Sequence, residues 1–261
     1  SKLAFTLNNL SRTYGEKLQF DSAAYWAKEA IKAAQNATEI SSLKNRWLMF
    51  GNGALANAYE GQSLYDSASL YFLKAILLAE KNKDKKMEAV YLKGLALIQA
   101  ALGNYQKAIE FTQNAIAIQQ QQEDYRAITF LLSDLGAYNN KIKNYSEATL
   151  MADSSIRLGS SINVFNMIGR NYSTLGTNQM EQLQYHNALK FFKKGLQLAQ
   201  FYKNSKSAIG SLYKKIGEAY EKMDSLPQAK EYYTKALEMS EGDNAFKTEI
   251  NYLLSKLAYK E

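Results

Sequence analysis

The sequence predicts an all-α fold: an α–α superhelix, or solenoid, built by stacking antiparallel helical hairpins. Two observations predict it. The 261 residues include a single proline, Pro227, and helix interiors tolerate proline less than any other residue. Small and large apolar residues also recur together at intervals of about 40 residues, a period typical of helical repeat proteins.

The clearest recurrence is an alanine near the start of each predicted second helix. Its six copies are Ala23, Ala68, Ala108, Ala148, Ala188 and Ala229. A large residue lies three positions before each of them: Phe20, Tyr65, Tyr105, Tyr145, Tyr185 and Leu226. A small residue lies twelve positions before each: Ser11, Ala56, Ala96, Gly136, Gly176 and Gly217. Because antiparallel helices approach closely only where one side chain at the crossing is small, these columns indicate packed hairpins.

The pattern resembles the tetratricopeptide repeat family. The resemblance is clearest in the sixth repeat, where the small–Tyr–Ala–aromatic–small series reads Gly217, Tyr220, Ala229, Tyr233 and Ala236. The period of about 40 residues exceeds the 34 of the family's usual repeat. It is similar to the long repeats of bacterial regulatory proteins of this family, and it implies longer helices or longer connections.

The columns divide the chain into one array of about six repeats followed by a last helix. The predicted repeats span 1–36, 47–82, 87–122, 125–159, 163–203 and 206–241. The first interval is longer than the others, so we expect its extra residues between Asn36 and Arg46. The only proline, Pro227, falls in the first turn of a helix, where its missing N–H costs nothing. Residues 245–261 are predicted to form a cap helix or the first helix of a truncated seventh repeat.

The sequence offers no pattern for catalysis, a cofactor or a metal. It contains no cysteine and only one histidine, His186, which we expect at an exposed helix start. No metal-ligand spacing or phosphate-binding loop occurs. Gly51-Asn52-Gly53 is expected inside a helix, at small packing positions. We therefore predict that the chain is not an enzyme and binds neither cofactor nor metal.

The resemblance implies that a partner binds a concave groove lined by the first helices of the hairpins. In this register, the predicted groove residues are Asn8, Arg12, Asn57, Glu60, Lys93, Leu97, Ser133, Asn140, Arg170, Ser173, Thr177, Lys214 and Glu218. Their mixture of amides, charges of both signs and aliphatic groups suits hydrogen bonding to the backbone of a peptide. The columns that hold a carboxylate clamp in chaperone-binding relatives read Asn8 and Arg12, then Ala54, then Val90 and Gly94, and no later set of three repeats restores the clamp, so binding of that kind is not expected.

The leading hypothesis is a protein- or peptide-binding scaffold, the sensory or regulatory module of a larger bacterial signalling protein. The alternative is a helical repeat protein that binds nucleic acid through its basic surface, since the net charge is +7. Interspersed acidic residues make nucleic acid the weaker hypothesis. No run of residues is apolar enough to span a membrane. The compartment, either cytoplasmic or exported and periplasmic, and the oligomeric state stay open.

Overall fold

The computed structural model describes residues 2–38 and 40–259, and these form thirteen α-helices. The helices belong to two compact units, which divide between Asp124 and Tyr125. The N-terminal unit holds α1 (Lys2–Glu16), α2 (Phe20–Gln35), α3 (Ser41–Gly61), α4 (Tyr65–Lys81), α5 (Lys85–Ala101) and α6 (Tyr105–Gln121). The C-terminal unit holds α7 (Tyr125–Lys141), α8 (Tyr145–Ser161), α9 (Ile168–Glu181), α10 (Tyr185–Phe201), α11 (Lys206–Lys222), α12 (Leu226–Glu238) and α13 (Asn244–Ala258).

Within each unit, consecutive helices pack as antiparallel hairpins. In the N-terminal unit the pairs are α1–α2, α3–α4 and α5–α6, and α2 and α4 also contact the next first helix, α3 and α5 respectively. The C-terminal unit repeats this arrangement with α7–α8, α9–α10 and α11–α12, and α13 packs on α12. The first helices contact one another in both units, through α1–α3 and α3–α5 and through α7–α9 and α9–α11.

The long period comes from long helices, not from long connections. Helices α4 to α8 each contain 17 residues, and only three residues lie in each of the four connections between them. Most of these connections place a residue in the left-handed region, for example Lys83 at φ 56° and Lys143 at φ 62°. The next amide then bonds back to the helix, as Asp84 N–H does to the Ala79 carbonyl at 2.9 Å. This helix-ending motif lets the chain reverse within three residues.

The longer first interval has two sources. Helix α3 contains 21 residues, and the connection from α2 to α3 covers residues 36–40. The extra length therefore lies between Asn36 and Arg46, as the sequence predicts. Gly51, Asn52 and Gly53 lie buried inside α3, also as predicted.

The small residues of the columns lie where helices pack closely, as the sequence predicts. A Cβ added at Gly176 would stand 2.3 Å from the Phe192 ring, and one at Gly217 would stand 2.6 Å from the Tyr233 ring. The rings of Phe192 and Tyr233 are fully buried. The all-α fold of helical hairpins is therefore confirmed. The division into a single array of six repeats stays a prediction, and its terminal residues 1, 260 and 261 lie outside the described residues.

Candidate functional site

The N-terminal unit contains an open cleft of about 630 Å³. Most of its lining comes from α1, α3 and α5, the three first helices of this unit, and Phe20 and Ala23 of α2 complete it. The side chains of α1 that line it include Phe5, Asn8 and Arg12, and those of α3 include Trp47 and Asn57. This volume lies within the usual range of about 300–1,000 Å³ for ligand sites.

Aromatic rings form one side of the cleft. Phe5 on α1 meets Trp47 on α3 edge to face, with ring centroids 5.8 Å apart, and Trp47 lies 6.2 Å from Phe50. Rings in such geometry stabilise one another beyond the apolar area that they bury. The cluster joins α1 to α3 and leaves rigid apolar surface at the cleft wall.

Helix α5 contributes the opposite side of the cleft through Met87, Val90 and Tyr91. Tyr91 is buried because Gly53 leaves space for its ring: a Cβ at Gly53 would stand 2.4 Å from it. The Tyr91 hydroxyl donates a hydrogen bond to the Met49 carbonyl at 3.3 Å. Burial raises the pKa of this phenol well above its usual value, so the hydroxyl stays protonated and keeps α5 bonded to α3.

Three of the predicted groove residues, Asn8, Arg12 and Asn57, come together at this cleft. Arg12 and Asn57 are exposed, and Arg12 has only a long ion pair to Glu16, at 3.7 Å. Asn8 is half-buried, and neither its amide nitrogen nor its amide oxygen has a hydrogen-bond partner among the described residues. The indole N–H of Trp47 is likewise without one. Buried polar atoms without partners cost about 1–3 kcal/mol each, so a ligand that supplied them would bind with that gain.

Glu60, Lys93 and Leu97 belong to the same unit but are not among the residues that line the cleft. Leu97 is exposed, while Glu60 and Lys93 are half-buried. Burial raises the pKa of the Glu60 carboxyl, and the positive charge of Lys93 offsets part of the increase. Glu60 and Lys93 therefore add charged groups on α3 and α5 outside the cleft, and Leu97 adds an apolar one.

In the C-terminal unit, two of the predicted groove residues, Arg170 and Asn140, are bonded to side chains of neighbouring helices. Arg170 on α9 forms an ion pair with Asp134 on α7 at 2.5 Å, and the Asp134 side chain is 5% exposed. Asn140 on α7 donates a hydrogen bond to the amide oxygen of Asn178 on α9. Asn178 in turn donates to Thr149 Oγ1 at 2.9 Å. These side chains hold helices together.

The remaining predicted residues of this unit follow the same trend or are less accessible. Lys214 on α11 pairs with Glu249 on α13 at 2.8 Å, and Glu218 pairs with Lys215 at 2.7 Å. Ser173 and Thr177 are half-buried. Ser133 is 1% exposed, so its hydroxyl does not lie on an open surface and is not part of a binding surface.

The single histidine and the metal-ligating side chains can be located in the described part of the chain. His186 is exposed in the first turn of α10, as expected from the sequence. No group of three or more metal-ligating side chains forms within residues 2–38 and 40–259. In that same part of the chain, no helix has the length and apolar character of a membrane span.

Sequence reasoning missed the aromatic side of the cleft. Phe5, Trp47 and Phe50 lie outside the repeat columns. Large aromatic residues at such positions were the sequence feature that could have indicated this wall. Trp47 is one of only two tryptophans, and it stands three residues before Phe50, so both point to the same face of α3. Large aromatic residues that the repeat does not require are candidates for binding a partner.

Residues 168–242 match the sequence profile of the tetratricopeptide repeat family. No curated protein sequence matches the chain. The structure is similar to the apo form of the quorum sensor NprR from B. thuringiensis, with 16% identity and a TM-score of 0.77 over 98% of this chain and 70% of that one. It is also similar to NprR in complex with its cognate peptide NprX, with 18% identity and a TM-score of 0.73 over 98% and 72%.

A third similar structure is aspartyl phosphate phosphatase F from Bacillus subtilis, at 16% identity and a TM-score of 0.75, covering 98% of this chain and 79% of that one. Likeness at this level of identity establishes the fold. The resemblance to tetratricopeptide repeats that the sequence predicts is thus confirmed. Since one of these structures is called a phosphatase, the fold by itself does not decide between binding and catalysis.

Proposed function

We propose that this chain is a protein- or peptide-binding module that holds a segment of its partner in the cleft between α1, α3 and α5. The observation that supports this most directly is the composition of the cleft. It combines an aromatic and aliphatic wall with the amides of Asn8 and Asn57 and the guanidinium of Arg12. Apolar walls give affinity, and a few polar groups fix the register of a bound segment.

Arg12 and Asn57 are exposed to a ligand, whereas the polar atoms of Asn8 and Trp47 are buried in the free chain and would reach a ligand after their side chains turn toward the cleft. The Asn8 amide and the Trp47 indole have no partner within the described chain, and an extended peptide carries both donors and acceptors along its backbone. An asparagine amide can accept from one peptide N–H and donate to the next carbonyl. The amides of the cleft would therefore form hydrogen bonds with the backbone of the partner, and the aromatic wall would contact its apolar side chains.

The comparisons support a regulatory role for such binding. NprR is called a quorum sensor and has been solved with its cognate peptide. By analogy, we propose that this chain is the sensory or regulatory module of a larger signalling protein and that it binds its partner without carrying out a reaction. Nucleic acid is the weaker alternative because several lysines, among them Lys32, Lys85 and Lys206, are ion-paired with glutamates.

The test begins with a random peptide library displayed on phage and selected on the full chain. The selected peptide is then titrated by fluorescence anisotropy against two variants. Val90→Glu puts a charge on the apolar wall of the cleft, where Val90 is 45% exposed. Leu150→Glu makes the same chemical change on α8, at a side chain of similar exposure, 50%.

We expect Val90→Glu to weaken binding by about tenfold or more, because a bound apolar group would bury the new carboxylate. Leu150→Glu should bind as the unmodified chain does. Selection that yields no peptide above a blank surface would contradict the proposal. Equal affinities for both variants and the unmodified chain would contradict it as well.

A further inference from the structure

A row of exposed leucines runs along the outer side of α4. Leu70, Leu73 and Leu77 are 51%, 49% and 64% exposed, respectively. Their spacing of three and four residues puts all three on one stripe of the helix. Three large apolar side chains aligned on a surface form a patch, and such patches on soluble proteins commonly mark interaction sites.

The hairpin fold does not require leucine at these positions, as the other repeats demonstrate. The positions equivalent to Leu70, Leu73 and Leu77, counted from the column alanine, hold a mostly polar set elsewhere in the chain. In order along the sequence they are Tyr25, Lys28 and Lys32; Glu110, Gln113 and Ala117; Leu150, Asp153 and Arg157; Lys190, Lys193 and Gln197; and Glu231, Thr234 and Glu238. Only α4 carries large apolar side chains at all three, so packing within the repeat does not explain them.

The last leucine of the stripe, Leu77, lines a valley between α2 and α4, and Leu70 and Leu73 lie outside that lining. This valley has a volume of about 710 Å³, and α3 forms its floor through Leu48, Asn52 and Leu55. The cleft described above uses Gly53, Ala54 and Asn57 of the same helix. At about 100° per residue, these two sets lie on opposite faces of α3. The valley is therefore a second surface, separate from the cleft.

The rim of the valley is positively charged. Lys28 and Lys32 on α2 and Lys74 on α4 are exposed along it. Among the described residues that line the valley, Glu29 is the only acid, and it is paired with Lys32 at 2.6 Å. The Lys74 ammonium lies 4.5 Å from the centre of the Tyr71 ring, which holds its charge beside the apolar floor.

We propose that the outer face formed by α2 and α4 docks an acidic amphipathic helix of a protein partner. Its apolar stripe would pack against Leu73 and Leu77 and over the valley floor, and its carboxylates would approach Lys28, Lys32 and Lys74. A helix with acidic flanks matches both the apolar stripe and the sign of the rim charge. This docking does not depend on the peptide proposed for the cleft.

The probe is a fluorescent helical peptide of about 18 residues, with leucines on one face and glutamates on the other. It is titrated against the full chain, alongside the same peptide with lysines in place of the glutamates. We expect the glutamate peptide to bind at least about tenfold more tightly than the lysine peptide. Equal binding of the two peptides, or binding of neither, would overturn the proposal.

Three variants locate the binding. Leu73→Gln combined with Leu77→Gln removes the apolar stripe, and Lys74→Glu reverses a rim charge. Each should lower the affinity for the glutamate peptide by about tenfold. Leu150→Gln is the matched control for an exposed leucine, and Val90→Glu is the control for the cleft. Both should bind like the unmodified chain, and loss of binding in Val90→Glu without loss in the stripe variant would overturn the proposal.

Sedimentation velocity of the chain alone tests the competing occupant, a second copy of this chain. We expect the sedimentation coefficient to be the same for the unmodified chain and for the double variant of Leu73 and Leu77. A dimer that the double variant dissociates would assign the stripe to self-association and overturn docking of an acidic partner.

Discussion

In the N-terminal unit, Asn8 and Arg12 border an open cleft, whereas Asn140 and Arg170 of the C-terminal unit are held by Asn178 and Asp134. All four residues occupy first helices, and the same resemblance predicts all four as groove residues. In the C-terminal unit each has a partner on a neighbouring first helix. In the N-terminal unit the amide of Asn8 has none among the described residues, and Arg12 has only a solvent-exposed acid.

The comparison separates two uses of a polar side chain on a repeat protein. A paired side chain stabilises the contact between two helices, and a ligand can use it only after that pair is broken. A side chain without a partner costs stability in the free protein, and binding can recover that cost. By this criterion, we propose that the N-terminal unit binds the partner, while the paired side chains of the C-terminal unit stabilise its helix contacts.

The largest expected difference comes from replacing two asparagines by leucine. Asn178→Leu removes the hydrogen bonds to Thr149 and to the Tyr145 carbonyl and leaves Asn140 without its acceptor. We expect a loss of about 2–3 kcal/mol in the stability of the C-terminal unit. Asn8→Leu removes no hydrogen bond and also removes two buried polar atoms that have no partner, so it should raise the stability of its unit by about 1 kcal/mol or more. Native-state hydrogen exchange, which reports on each unit separately, measures both.

A smaller difference is expected from two arginines. Arg170→Ala leaves the buried Asp134 carboxylate without its guanidinium and should cost about 1–2 kcal/mol, since Arg170 itself is partly exposed. Arg12→Ala removes an exposed pair to Glu16 and should cost about 0.5 kcal/mol or less. Urea denaturation followed by circular dichroism gives the two values. Equal losses would show that the pairing seen in the structure does not distinguish the units.

The smallest effect concerns pH. Because burial raises the pKa of Glu60 in the folded state, ionised Glu60 destabilises the fold at pH values above that pKa. This cost disappears as the pH falls below about 4.3, the usual pKa of an unfolded glutamate. Glu60→Gln should therefore raise the free energy of unfolding slightly at pH 7, by less than about 1 kcal/mol because the side chain is partly solvated. At pH 4 the gain should vanish.

The control for this measurement is Glu110→Gln on α6, where the side chain is exposed. It should leave the free energy of unfolding unchanged at both pH values. A gain of the same size from Glu110→Gln would attribute the effect to net charge instead of burial.

The fold can be predicted from the sequence because the small residues of the columns occupy the positions at which helices cross. Gly176 and Gly217 meet the rings of Phe192 and Tyr233, and such contacts recur at the repeat period. The candidate site is predicted only in part. Its polar residues Asn8, Arg12 and Asn57 follow from the register of the helices, whereas Phe5 and Trp47 belong to no column.

The pairing in the C-terminal unit could not be predicted from the columns for a different reason. Arg170 and Asp134 are 36 residues apart, and Asn140 and Asn178 are 38 apart, so neither pair matches the period. Whether two such side chains meet depends on the crossing of α7 with α9, which the repeat pattern leaves undetermined.

Hydrogen exchange of the full chain, with and without the peptide selected on it, locates the bound partner. We expect slower exchange in α1, α3 and α5, around Asn8, Asn57 and Val90, and no change in α7, α9 and α11. Slower exchange confined to α7, α9 and α11 would contradict this expectation, because the paired side chains of the C-terminal unit would then be the ones that bind.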